Sequence, residues 1–92
     1  MARDRLSTYK TTVSHSDGKT RVTYHSTDIV AWDNDQIVLQ SGGWQTVTTK
    51  RKMNQAAAQF GLDFSVYQKD FCWYVVKDGK TLDFKDGMII NR

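Results

Sequence analysis

The sequence predicts an α+β fold: an antiparallel, strongly curled sheet of about six to eight short strands, able to close part-way into a barrel, with one α-helix near residues 48–60. Two observations carry this reading. Short runs rich in β-branched and aromatic residues are separated by turn chemistry such as Asp17-Gly18, Asp78-Gly79 and Asp86-Gly87. Only between Met53 and Phe60 does the apolar period change from that of a strand to that of a helix. At 92 residues the chain fits one domain spanning 1–92, because a second core of useful size does not fit in that length.

The elements follow in order. Residues from about 6 to 15 are Thr-rich and roughly alternating, and Ser16-Asp17-Gly18-Lys19 turns them back onto residues 20–26 as a first hairpin. Ile29 to Trp32 form a strand, Asp33-Asn34-Asp35 a turn, and Ile37 to Leu39 the returning strand. Met53, Ala56, Ala57 and Phe60 mark the helix, with Thr48 or Thr49 as N-cap and Gly61 as a left-handed stop. Strands at Phe64–Gln68, Phe71–Val76, Thr81–Phe84 and Met88–Asn91 then form a meander. Phe71-Cys72-Trp73-Tyr74-Val75-Val76 is apolar on both faces, which predicts a central strand covered on each side, with Trp73 in the core.

Composition narrows the function. Thirteen Lys and Arg against ten acidic residues give a net charge of +3, which favours anionic partners. Every acidic residue is Asp, and most stand at turns, which disfavours a strongly acidic surface imitating DNA. A single cysteine, Cys72, rules out an internal disulfide and suits a reducing cytoplasm. No apolar stretch resembles a signal peptide or membrane span, so no membrane partner is expected.

The basic run Thr48-Thr49-Lys50-Arg51-Lys52 carries the main functional signal. Cations in the first turn of a helix oppose its macrodipole at a cost of roughly 0.3–1 kcal/mol each. An anion held by exposed N–H groups, Thr hydroxyls and these side chains would remove that repulsion. Gly42-Gly43 allows close backbone approach, and Trp44 offers a flat stacking surface. With Met53, Ala57 and Phe60 on the core, Arg51 points away from it, Gln55 follows one turn on, and Lys50 and Lys52 flank the buried stripe. The candidate anion site is therefore Thr48, Thr49, Lys50, Arg51, Lys52, Trp44 and Gln55. The competing reading is an ordinary solvated basic face.

Other chemistry-bearing residues point to structure. His15 and His25 fall toward opposite ends of the first hairpin, too far apart to share a metal. Asp33-Asn34-Asp35 lacks the later Gly and Glu of a calcium loop. Cys72, amid Phe71, Trp73 and Tyr74, reads as a buried, inert thiol. Tyr67, Trp44 and Trp32 are candidates for a stacking platform, although Trp32 suits the core better. No catalytic residue, metal ligand or cofactor motif is predicted, and the chain reads as a non-enzyme.

The stretch from Gln40 to Gln55, which includes Ser41-Gly42-Gly43-Trp44 and Thr48-Thr49-Lys50, resembles small uncharacterised proteins of tailed bacteriophages. The likeness continues through Val66-Tyr67-Gln68-Lys69-Asp70 and Trp73-Tyr74-Val75, and reaches back to Thr11-Thr12-Val13 and Ile29-Val30. The resemblance implies a phage gene product acting in the cytoplasm of an infected bacterium. It brings no activity, substrate or cofactor.

Two roles follow as expectations. The first is a phage accessory protein that binds nucleic acid phosphates through the basic helix start. The second is a protein–protein inhibitor of a host enzyme or defence complex, anchored by Trp44 and Arg51. A homodimer formed by edge pairing is compatible with either.

Overall fold

A computed structural model describes residues 11–43 and 46–92. Within these lie eight strands and one helix, all strand pairs being antiparallel. In chain order they are β1 (Thr11–Ser16), β2 (Lys19–Tyr24), β3 (Thr27–Trp32), β4 (Gln36–Leu39), α1 (Val47–Phe60), β5 (Phe64–Lys69), β6 (Cys72–Lys77), β7 (Lys80–Asp83) and β8 (Met88–Asn91). The α+β class is as predicted. The curled sheet is not: the strands form two sheets, β1-β2-β3-β4-β8 and β5-β6-β7, neither closed nor strongly curled.

The first sheet grows by successive hairpins. Asp17 and Gly18 both have positive φ, 53° and 75°, the pair of values a two-residue type I′ turn requires. Between β2 and β3 the register shifts after Val22↔Val30, so that Thr23 faces Asp28 and Ile29 is the extra residue of a bulge. That bulge breaks the alternation and lets Ile29 and Val30, neighbours in sequence, both be buried. Asp33 turns the chain toward β4 by accepting hydrogen bonds from the Asp35 and Gln36 amides at 2.8 and 2.9 Å.

The tail departs from the predicted meander. β5, β6 and β7 pair in sequence, but β8 crosses to the first sheet and lies against β4, with Ile37 opposite Ile90. Asp86 holds this crossing by accepting from the Ser41 amide and hydroxyl, each at 2.7 Å. Arg92 completes it, donating its guanidinium to the Asp33 carbonyl at 2.7 Å. The apolar run of β8 suits either sheet, and these long-range polar contacts are invisible to local pattern.

The core runs between the sheets and beneath the helix, and includes Trp32, Ile37, Leu39, Met53, Ala56, Leu62, Trp73 and Val75. Trp32 and Trp73 are thus core residues, Trp32 against Phe60 and Trp73 edge-on to Phe84. Contrary to the prediction for β6, only one of its faces is sealed: Trp73, Val75 and Lys77 are buried, whereas Cys72 is exposed and Tyr74 and Val76 are half-buried. Cys72 is therefore an exposed thiol rather than a buried one. It pairs with Lys69 beside the β5–β6 turn.

The helix is fixed along the open edge of β5. Gly61, in the left-handed conformation, and Leu62 both donate to the Ala57 carbonyl, which ends the helix and reverses the chain. β5 then runs back along α1. The Asn54 side chain receives the Val66 amide at 2.7 Å and donates to the Val66 carbonyl at 2.9 Å, a side-chain substitute for the missing neighbouring strand. Replacing Asn54 with Ala removes both bonds and uncovers this edge. We expect a loss of about 2 kcal/mol, seen as a lower urea midpoint with an unchanged slope.

Candidate nucleic-acid interface

The helix begins earlier than the sequence suggests. Thr46, with extended backbone, is the N-cap; its hydroxyl accepts from the Thr49 amide at 3.2 Å and meets the Thr49 hydroxyl at 3.1 Å. Thr48 and Thr49 are therefore inside the first turn, Lys50 closes it by donating to the Thr46 carbonyl, and Arg51 and Lys52 follow it. This corrects the expected cap and weakens the predicted clash with the macrodipole, which is felt mainly within the first turn. The sequence misleads because three nearby Thr residues are all competent caps.

The candidate residues separate by side. Arg51 is exposed and faces away from the buried Met53, Ala56 and Ala57; Thr48 is exposed, and Lys50 and Gln55 are half-buried. Thr49 is fully buried and Lys52 is 2% exposed, so neither reaches an incoming molecule. The Lys52 ammonium instead lies 5.0 Å from the centre of the Tyr24 ring, tying the helix to β2. Trp44 lies outside the described residues. Tyr24, His25, Thr46 and Thr48 line a depression of about 430 Å³ at the helix start.

His15 and His25 are both exposed and separated as predicted: His15 pairs with Thr20 near one end of the β1–β2 hairpin, and His25 follows Tyr24 at the other. His25 rests against the Tyr24 ring at 4.4 Å. Among the described residues no group of three or more His, Cys, Asp or Glu side chains is placed to hold a metal. No described helix is long and apolar enough to cross a membrane.

Sequence reasoning missed a second feature. Three two-residue hairpin turns share one backbone form: Asp17-Gly18, Asp78-Gly79 and Asp70-Phe71. The first two place Gly at the second position, with φ of 75° and 76°. The third places Phe71 there, with φ of 66° and 93% of its surface exposed. A side chain in this conformation costs on the order of 1–2 kcal/mol relative to the unstrained backbone, and Phe71 recovers none of it by burial. The sequence does carry the signal: Asp70-Phe71 stands where the chain elsewhere uses Asp-Gly.

Next to this tip, Tyr67 and Tyr74 face each other across β5 and β6 on the open side of the sheet. Their rings stack with centres 5.4 Å apart and planes 29° from parallel. The Tyr74 phenol titrates above its ordinary range, chiefly because of charge on neighbouring Cys72, then through desolvation and Asp83. Tyr67, expected as part of a stacking platform, is exposed, but its neighbour is Tyr74 and not Trp32.

The model of a family described as Kyanoviridae Gp96 protein matches residues 1–91. The chain belongs to this family. It is therefore a bacteriophage protein, as the resemblance implied. No curated protein and no solved structure matches it.

In this Gp96-family chain, Lys52 gives a pH signature for the helix contact. Burial pushes its pKa below the ordinary 10.5. The folded state then releases this proton before the unfolded state does, so stability rises with pH from the depressed value up to 10.5 and flattens above it. Urea midpoints measured from neutral to alkaline pH should show this rise relative to a Lys52→Met variant, which lacks it.

Proposed function

We propose that this phage protein is a non-enzymatic accessory factor that binds nucleic acid through phosphate contacts at the start of α1, in the cytoplasm of the infected bacterium. One observation carries the reading. The exposed end of the helix presents Thr48 and Arg51, with half-buried Lys50 beside them and no acidic residue in the first turn. Unbonded N–H groups at a helix start, hydroxyls and a projecting guanidinium are the donors that phosphate oxygens accept.

The roles divide by burial. Arg51 supplies the charge-assisted contact, Lys50 adds a flexible cation, and Thr48 orients an oxygen beside the depression it shares with Thr46, Tyr24 and His25. Thr49 and Lys52 support these groups from beneath, through the cap and through Tyr24. The net charge of +3 favours encounter with a polyanion without making the whole surface basic.

Binding of this kind weakens as salt rises, because each neutralised phosphate releases counterions. Changing Lys50 and Arg51 together to Ala should lower affinity for a labelled oligonucleotide and reduce the slope of log affinity against log salt by about 1 for each phosphate that is no longer neutralised. An unchanged slope, or no binding by the natural chain at low salt, contradicts the reading.

A further inference from the structure

We propose that the hairpin tip and open face of the β5-β6-β7 sheet form a stacking surface for unpaired bases, so that the ligand is single-stranded nucleic acid rather than duplex. The proposal rests on the phosphate-binding reading above and names its substrate class.

The two surfaces lie at one end of the molecule. Gly61 to Asp63 reverse the chain, and Asn54 grips Val66, so β5 runs back alongside α1. From Asn54 to Lys50 the helix advances about 6 Å, and from Val66 to Gln68 the strand advances about 6.6 Å. Lys50 and Arg51 thus come level with Tyr67 and Gln68, and the first helical turn with Lys69 and the Phe71 tip. Val47, Arg51, Asn54 and Ala58 form one stripe, and Asn54 fixes that stripe against the β5 edge.

The chemistry of this end suits a strand with free bases. Tyr67 and Tyr74 supply a stacked pair of which Tyr67 is exposed, and Phe71 adds a third ring that costs the fold strain and contributes no burial. Every base has a π-face that such rings can stack, whereas in a duplex those faces are already covered. Charge is arranged to match. Lys50, Arg51 and Lys69 border the helix side of the rings, while Asp83 lies across Tyr74 on the far side and Asp70 is in the turn. The backbone of a bound strand therefore follows the helix side. At the opposite end of the helix, Asp63 and Asp78 line a cleft of about 760 Å³, with Asp78 held in an ion pair by Lys77 at 3.1 Å.

The test compares binding of a labelled oligothymidylate with binding of the same strand annealed to its complement, at low salt, for the natural chain, Phe71→Gly and Tyr67→Ser. Phe71→Gly places at this turn the residue that the two matching turns already use, so its melting temperature should equal or exceed that of the natural chain. The proposal predicts tighter binding of the single strand and a loss of about tenfold in each variant, with the salt slope unchanged. Equal binding of both forms, unaffected by either variant, overturns the stacking surface and leaves the phosphate reading standing. Binding of neither form overturns both. Capture of a nuclease-resistant host protein that depends on Phe71, without oligonucleotide binding, assigns the face to a protein and overturns the proposal.

Discussion

The pair of hydrogen bonds between Asn54 and Val66 determines how the parts of this protein are assembled. A three-stranded sheet has two open edges, and an unpaired edge strand invites association with other chains. Asn54 closes part of one edge with a side chain that mimics the donor and acceptor of a backbone unit. Because Asn54 belongs to the helix, the same contact sets where α1 lies against β5. The opposite flank of the helix is held by the Lys52–Tyr24 contact, so α1 joins one sheet to the other.

That placement explains why two features that are weak alone combine into one surface. A basic helix start is common on solvated surfaces, and an exposed aromatic ring is common too. Here the β5–α1 reversal brings them to one end, and the chain maintains Phe71 in a conformation for which its two sister turns use glycine.

Much of the fold is legible in the sequence because local chemistry dictates it. Asp17-Gly18 and Asp78-Gly79 specify their hairpins, Gly61 stops the helix, and the spacing of Met53, Ala56 and Ala57 identifies the buried stripe. What escapes is set by distant contacts or by exceptions to preference. β8 leaves the meander because Ser41 and Asp86 anchor it to the first sheet, forty-five residues apart in sequence. Cys72 lies in an apolar run, yet it is exposed, because alternate residues of β6 face away from the core. Thr46 caps the helix in preference to Thr48, which moves Arg51 and Lys52 past the first turn. Phe71 reads as the start of a strand, since an aromatic residue rarely takes a positive φ. For the candidate site, the exposure of Arg51 is legible from helical geometry, whereas the burial of Lys52 depends on Tyr24, a residue of another element.

The hairpin tip and the basic start of the helix share one end of the molecule, and their proximity can be measured directly. Cys72, the single cysteine, is exposed beside Phe71 and accepts a paramagnetic label without a second substitution. Nuclear magnetic resonance of the labelled protein should show strong broadening of the Thr48, Lys50 and Arg51 amides and little at Phe60 and Gly61. Broadening strongest at Phe60 and Gly61, or absent along the whole helix, would contradict this arrangement.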